Sequence, residues 1–284
     1  MNSITTIKRL ADSYESADFL IGDPSWFMHQ VEGERNQELT AFLASALSFG
    51  SRKQFMPKIQ QLLSIALQQI GSSEGSEGYE GYEGYEGSEG YEGNDNECFY
   101  RMYTWRDMRL FLARLNELLQ EYGSLKEFVS KGRKSIEALE ALETITAWFS
   151  RPKEDSSARS PIPKDTTSSC KRLCMFLRWM VRDNSPVDLG IWSNIIDKRT
   201  LIIPLDTHVM QQANRLGLID TRTASMSTAR RLTGKLLTIF PDDPLKGDFA
   251  LFGYGVTHTE KQLNTSLSEY HSSRYPSLTE PPLP

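Results

Sequence analysis

Residues 201–217, LIIPLDTHVMQQANRLG, run from a short apolar stretch into a helix, and this passage organises the reading of the whole chain. Pro204 closes the apolar run, Asp206 stands at the start of the helical pattern, and Val209, Ala213 and Leu216 fall on one face. An aspartate in that place is a favoured N-cap, because its carboxylate accepts from the free N–H groups of the first turn. The same carboxylate, held rigid and ionised, can stabilise a cationic, sugar-like transition state. Lys171, 35 residues upstream, opens a second helical pattern, KRLCMFLRWMVR. There the helix dipole and the adjacent Arg172 both disfavour an ammonium, and a neutral amine is what nucleophilic attack requires. A solvated lysine at a helix start would give the same pattern, so both readings stand at this point.

Outward from this passage the periodicity is helical. Leu39, Phe42, Leu43, Ala46 and Leu47 form one stripe, and Phe55, Ile59, Leu62, Leu63 and Ala66 another. Met108, Phe111, Leu112, Leu115, Leu118 and Leu119 make a third, and Ile136, Leu139, Leu142, Ile145 and Phe149 a fourth. Helices are predicted over 171–182, 207–217, 227–240 and 246 to about 256. Alternating strand patterns are nearly absent, and Leu201 to Ile203 is too short to build a sheet. The expected fold is all-α, with many helices in two lobes. Residues 1–150 form the first lobe, 151–166 a Pro/Ser-rich linker, 167–260 the second lobe, and 261–284 a flexible tail.

Residues 71–97 interrupt the first lobe with repeats of Gly-Tyr/Ser-Glu. They carry no apolar periodicity, and glycine at every third place is costly to order, so this insert is expected to be disordered. Its period matches that of collagen only superficially, since proline is absent from it. A loop can absorb such an expansion because closure entropy grows only with the logarithm of length.

The insert also decides how the charge is read. The chain's net charge is −5, but nine of its 37 acidic side chains lie in 71–97, where there is no Lys or Arg. The remainder has 28 acidic against 32 basic side chains, a balance of +4 that permits a nucleic-acid partner. At 284 residues, 39% hydrophobic and 24% charged, the chain can bury a substantial core. No apolar run approaches the roughly 18–20 residues of a membrane helix. The opening MNSITTIKRLADSYES lacks the order of a secretory signal, so the expected location is cytoplasmic. Cys98, Cys170 and Cys174 make neither a disulfide framework nor a cluster site, and the last two, four apart, read as small apolar fillers. No cofactor is expected.

Further candidates surround Lys171 and Asp206. His208 lies two residues beyond the aspartate, where it would serve a ligand or pack on a neighbouring helix. A metal site built on Asp206, His208 and either His29 or Glu38 has no supporting spacing. In SFGSRKQ (48–54), Gly50 reads as a positive-φ glycine ending one helix, with Arg52 and Lys53 in a tight turn able to hold phosphates. Arg178 and Trp179, with Arg172, Arg182 and Trp192, add charge and flat aromatic surface. Trp179 also fits the apolar stripe of its helix.

The strings DPSWFMHQVEG, NQELTAFLASALSFGSRKQ, KRLCMFLRWMVR, VDLGIW, LIIPLDTHV and DPLKGDFALFGYGV together resemble an uncharacterised bacterial family of conserved hypothetical proteins, over nearly the whole chain outside the insert and tail. The second half is also distantly similar to the helix-hairpin-helix DNA glycosylase superfamily. Lys171 and the "LDTHV" around Asp206 match that superfamily's lysine at a helix start and its aspartate before the next helix. Asn214-Arg215-Leu216-Gly217 follows in kind. VDLGIWSNIIDKR lengthens the spacing between the pair, and TTSSC before Lys171 lacks the glycines of the usual hairpin.

The resemblance implies that Lys171 attacks C1′ of an extruded nucleotide in double-stranded DNA and that Asp206 stabilises the developing positive charge. The candidate substrate contacts read from the residues are His208, Arg52, Lys53, Arg178 and Trp179, and no metal is expected. Two rival readings are a non-catalytic helical module binding nucleic acid or protein, and an enzyme acting on a small ligand through Asp206 and His208. They separate on whether Lys171 and Asp206 face one cleft.

Overall fold

The computed structural model of the protein describes residues 3–70, 94–151 and 158–255, with the side chains of Ser3 and 67–70 left aside. Most of these residues are helical. The elements are α1 (Ser3–Tyr14), α2 (Glu34–Leu47), α3 (Arg52–Ile70), α4 (Trp105–Tyr122), α5 (Leu125–Gly132), α6 (Ala138–Phe149), α7 (Lys171–Val181), α8 (Thr207–Arg215) and α9 (Met226–Ile239). A further helix, α10, covers 246–255. Three short 3-10 turns lie at Ala17–Leu20, Pro24–His29 and Lys198–Thr200. Among the described residues, no helix is long and apolar enough to cross a membrane.

The architecture is centred on α2, whose residues from Glu38 to Leu47 are all buried. It packs against α7, α3 and the Pro24–His29 turn. Phe42 lies at its heart, against Phe111 of α4, Phe149 of α6 and Phe176 of α7. One continuous cluster of buried apolar side chains runs from Phe27 to Leu251, so the two halves of the chain share a core. A smaller cluster docks Ile7, Leu10 and Ala11 of α1 onto Ile239 and Ala250.

Local chemistry sets the ends of the helices. Thr104 and Asp107 form a reciprocal capping box at the start of α4. The other Asp107 oxygen accepts from the Arg159 N–H at 2.7 Å, and Ile162 is buried, so the described part of the 151–166 stretch is docked on the body. Gly50 ends the α2 region with φ +85°, the left-handed conformation expected of it.

Several expectations need correction. Arg52 and Lys53 do not sit in a turn: α3 begins at Arg52. Ile136 is exposed and precedes α6, so it is not part of that helix's buried stripe. Besides α1 and the 3-10 turns, two elements were not foreseen. One is α5, only eight residues long, capped by Ser124 and by Glu38 of α2. The other is an antiparallel hairpin of β1 (Cys98–Tyr100) and β2 (Tyr103–Thr104). Within the predicted disordered insert, 71–93 lie outside the described residues, while 94–97 form a turn leading into β1. The 261–284 tail and 152–157 of the linker also lie outside them.

Candidate functional site

The approach to α7 is fixed from both sides. Ser168 bridges to Ser225, and the Ser169 hydroxyl donates to the Leu205 carbonyl at 2.9 Å, tying the start of α7 to the segment that ends in Asp206. Between them Cys170 takes φ +45°, a left-handed conformation that glycine adopts without strain and cysteine does not. The glycine absent from TTSSC is thus replaced in geometry. Cys170 and Cys174 are both buried, consistent with apolar fillers.

Lys171 is the first residue of α7, and its Nζ lies 3.0 Å from Asp206 Oδ2. The other carboxylate oxygen, Oδ1, accepts from the Val209 N–H at 2.8 Å as the N-cap of α8. Capping and pairing are therefore performed together, one oxygen each. Burial pushes the Asp206 carboxyl up, but the Lys171 ammonium and the Val209 N–H outweigh it and hold it below its ordinary value. About a third of each side chain is exposed (33% and 35%), so the pair is open to a ligand.

Both side chains face a hollow of about 550 Å³. Phe19, Phe49 and Phe252 supply flat apolar surface to it, and Arg178 and Asp248 lie deep in it. Arg172 turns away from Lys171, donating to the Ala46 carbonyl and lying 5.0 Å from the Phe49 ring centroid.

The remaining candidates divide. His208 and Arg52 line the hollow. Gly255 makes room for His208, since any side chain there would collide with its Nε2. Arg52 is tethered, its Nη2 lying 3.2 Å from Asp23 Oδ2 while its guanidinium lies over Phe252. Lys53 is exposed one residue beyond but is not in the lining. Trp179 is fully buried in the core and does not line the hollow, so it offers no stacking surface there. His29 Nε2 donates to the Val187 carbonyl at 2.8 Å, and Glu38 caps α5, so neither stands beside Asp206.

Arg178 is not a free cation. It donates through Nε to Asp188 (3.2 Å) and through Nη1 to Asp248 (2.5 Å). One turn on, Arg182 is bonded to Asp188, to both oxygens of Asp243 and to Glu15 at 2.7 Å. Burial lowers the proton affinity of both arginines, but the carboxylates outweigh it and raise both above the ordinary value. This dry network and the aromatic groups Phe19 and Phe252 were missed in the sequence. The available signal was DPLKGDFALF, where Asp248 and Phe252 lie four apart and so on one helical face.

Fold and site together define an all-α protein with a lysine–aspartate pair at the mouth of an aromatic-walled hollow. Residues 23–257 match the family described as "Protein of unknown function (DUF2400)", and the chain belongs to that family. No curated protein and no solved structure matches the chain.

Proposed function

We propose that this protein is a DNA-binding enzyme of glycosylase/lyase type, acting in the bacterial cytoplasm on a damaged base in double-stranded DNA. The observation that carries the reading is the 3.0 Å Lys171–Asp206 pair, about a third exposed and facing a hollow large enough for a nucleotide. A base inside a duplex is out of reach, so it must be extruded into a pocket that stacks on it and contacts its edges. Phe19, Phe49 and Phe252, which line the hollow, suit that task. Arg52 lines the hollow and Lys53 is exposed next to it in sequence, which supplies cations for passing phosphates. Lys171, after losing a proton to solvent, attacks C1′ as the C1′–N bond breaks. Asp206, kept ionised, offsets the positive charge of the sugar. Ring opening then gives a Schiff base on Lys171, and strand cleavage follows.

Borohydride reduction of the protein mixed with a duplex carrying an abasic site tests this directly. A covalent protein–DNA adduct is expected from the wild type and none from Lys171→Ala. Absence of an adduct from the wild type on abasic and 8-oxoguanine duplexes alike would remove the lyase and leave a non-catalytic binding module.

A further inference from the structure

We propose that Asp248 is a third functional group of the hollow, a general acid that gives its proton to the departing base. The inference rests on the glycosylase reading above.

Two guanidiniums, Arg178 and Arg182, serve four carboxylates, those of Glu15, Asp188, Asp243 and Asp248. Lys246, 40% exposed, is shared between Asp12 at 3.8 Å and Glu15 Oε2 at 4.0 Å, and so offsets little of this charge. A dry region with surplus negative charge lowers its free energy by holding a proton. The hydrogen bonds limit where that proton can sit. Asp188 gives one oxygen to each arginine, and both oxygens of Asp243 accept from Arg182. Glu15 gives Oε1 to Arg182 and Oε2 to Lys246. Asp248 gives Oδ2 to Arg178, and its Oδ1 receives no donor from the described residues. It is also the carboxylate of the four that lines the hollow, although the residue is only 8% exposed. The proton therefore belongs on Asp248 Oδ1, at a surface where a substrate can take it.

The titration directions agree. Burial pushes the carboxyls of both Asp248 and Asp188 up against the pull of the arginines, and of these two only Asp248 has an oxygen left over and a face on the hollow, whereas Asp206 is held down by Lys171. Two carboxylates in one hollow, driven in opposite directions, divide into an acid and an ionised stabiliser. The charged groups facing Asp248 are Arg178 from α7, Asp188 from the loop after it, and Asp206 before α8; the Cys174 thiol also lies within its field.

The step balances. The Lys171 amine forms the N–C1′ bond, the C1′–base bond breaks with its electron pair going to the base, and the Asp248 proton passes to the base nitrogen. Asp248, now a carboxylate, takes a proton back from the secondary ammonium on Lys171; the freed lone pair forms the C1′=N bond as C1′–O4′ breaks, and O4′ takes a proton from solvent.

The test compares two reactions of one variant. Base release is measured on duplexes containing 8-oxoguanine, hypoxanthine or uracil, and borohydride trapping on a duplex with a preformed abasic site. Asp248→Asn keeps an acceptor for Arg178 and is expected to slow base release by about 100-fold. Trapping at the abasic site, which needs no leaving-base proton, should fall by less than about threefold and reports that the variant is folded. Glu15→Gln, remote from the hollow, removes one surplus charge and should move the alkaline limb of base release to lower pH. Unchanged base release by Asp248→Asn overturns this inference while leaving the glycosylase reading intact. So does an equal loss in both reactions, which marks Asp248 as structural. Trapping without base release from any of the three duplexes by the wild type overturns the inference and the glycosylase step together.

Discussion

Helix α7 and its C-cap residue Arg182 carry two acid–base assemblies within about three turns, and they are built on opposite principles. At its first residue, Lys171 meets Asp206 at the edge of a hollow, with a third of each side chain in solvent. Two and three turns on, Arg178 and Arg182 meet their carboxylates in the interior, where Arg182 is 1% exposed. The first pair lies in high dielectric, where an ion pair contributes about 0–1 kcal/mol and is easily exchanged for a ligand. The second has given up its hydration, so every group depends on its partners and none can leave without stranding another. The chemistry is the same and the burial differs. An exposed pair can react, and a buried network positions what reacts, as Arg178 does for Asp248.

The strongest way to break this comparison is to remove a member of the dry network. Arg182→Ala strands Asp188, Asp243 and Glu15, and should destabilise the protein by about 3–5 kcal/mol in urea unfolding. A loss below about 1 kcal/mol would mean that water reaches the network and that the two assemblies are alike.

Glu38 sharpens the contrast, because it is buried without a guanidinium. It accepts from the N–H groups of Leu125 and Lys126 and from the Trp192 indole, at 2.8, 2.9 and 2.9 Å. Burial outweighs these donors and raises its carboxyl from 4.5 to about 7. A carboxyl raised on folding adds stability that is full below its ordinary value and is lost as pH climbs through the folded value. Wild-type stability should therefore drop by about 3 kcal/mol from this group between pH 4.5 and 8. Glu38→Gln should flatten that slope while lowering stability at the acid end, since its amide NH2 cannot accept from both helix N–H groups. An unchanged slope in the variant would assign the pH dependence elsewhere.

Asp206 separates its two roles through two substitutions. Asp206→Ala loses the cap and should cost about 1 kcal/mol, whereas Asp206→Asn keeps a favoured cap and should cost less. Because folding lowers this carboxyl's proton affinity, its contribution is present above the ordinary carboxylate range and lost as pH falls below it. Asn should remove that acid-side dependence. If both variants melt alike, the N–H bond to Val209 is not what holds the carboxylate.

What could be read in the chain follows the same division. Helices whose stripes are long and regular, such as 108–119, are fixed by local spacing and were legible. So were the cap at Asp206 and the positive φ at Gly50, which depend on neighbours in sequence. The eight-residue α5 was not, because its start is held by Glu38, 87 residues away in the case of Leu125. Nor was the dry network, whose Arg182–Glu15 bond spans 167 residues. Arg178 and Trp179 are adjacent in a helical string, and only tertiary packing sends one to the hollow and the other into the core.

Lys171 is the last and smallest lever on stability. As half of a partly exposed pair it contributes about 0–1 kcal/mol, so Lys171→Ala should unfold within that margin of the wild type. The loss of its long side chain leaves Asp206 capped through Val209, so no charge is stranded in a dry place. The same variant should form no borohydride adduct on an abasic duplex. A near-neutral effect on folding together with complete loss of trapping would distinguish a reactive amine from a structural one. Destabilisation as large as that of Arg182→Ala would place Lys171 with the buried network instead, and the hollow would lose its nucleophile.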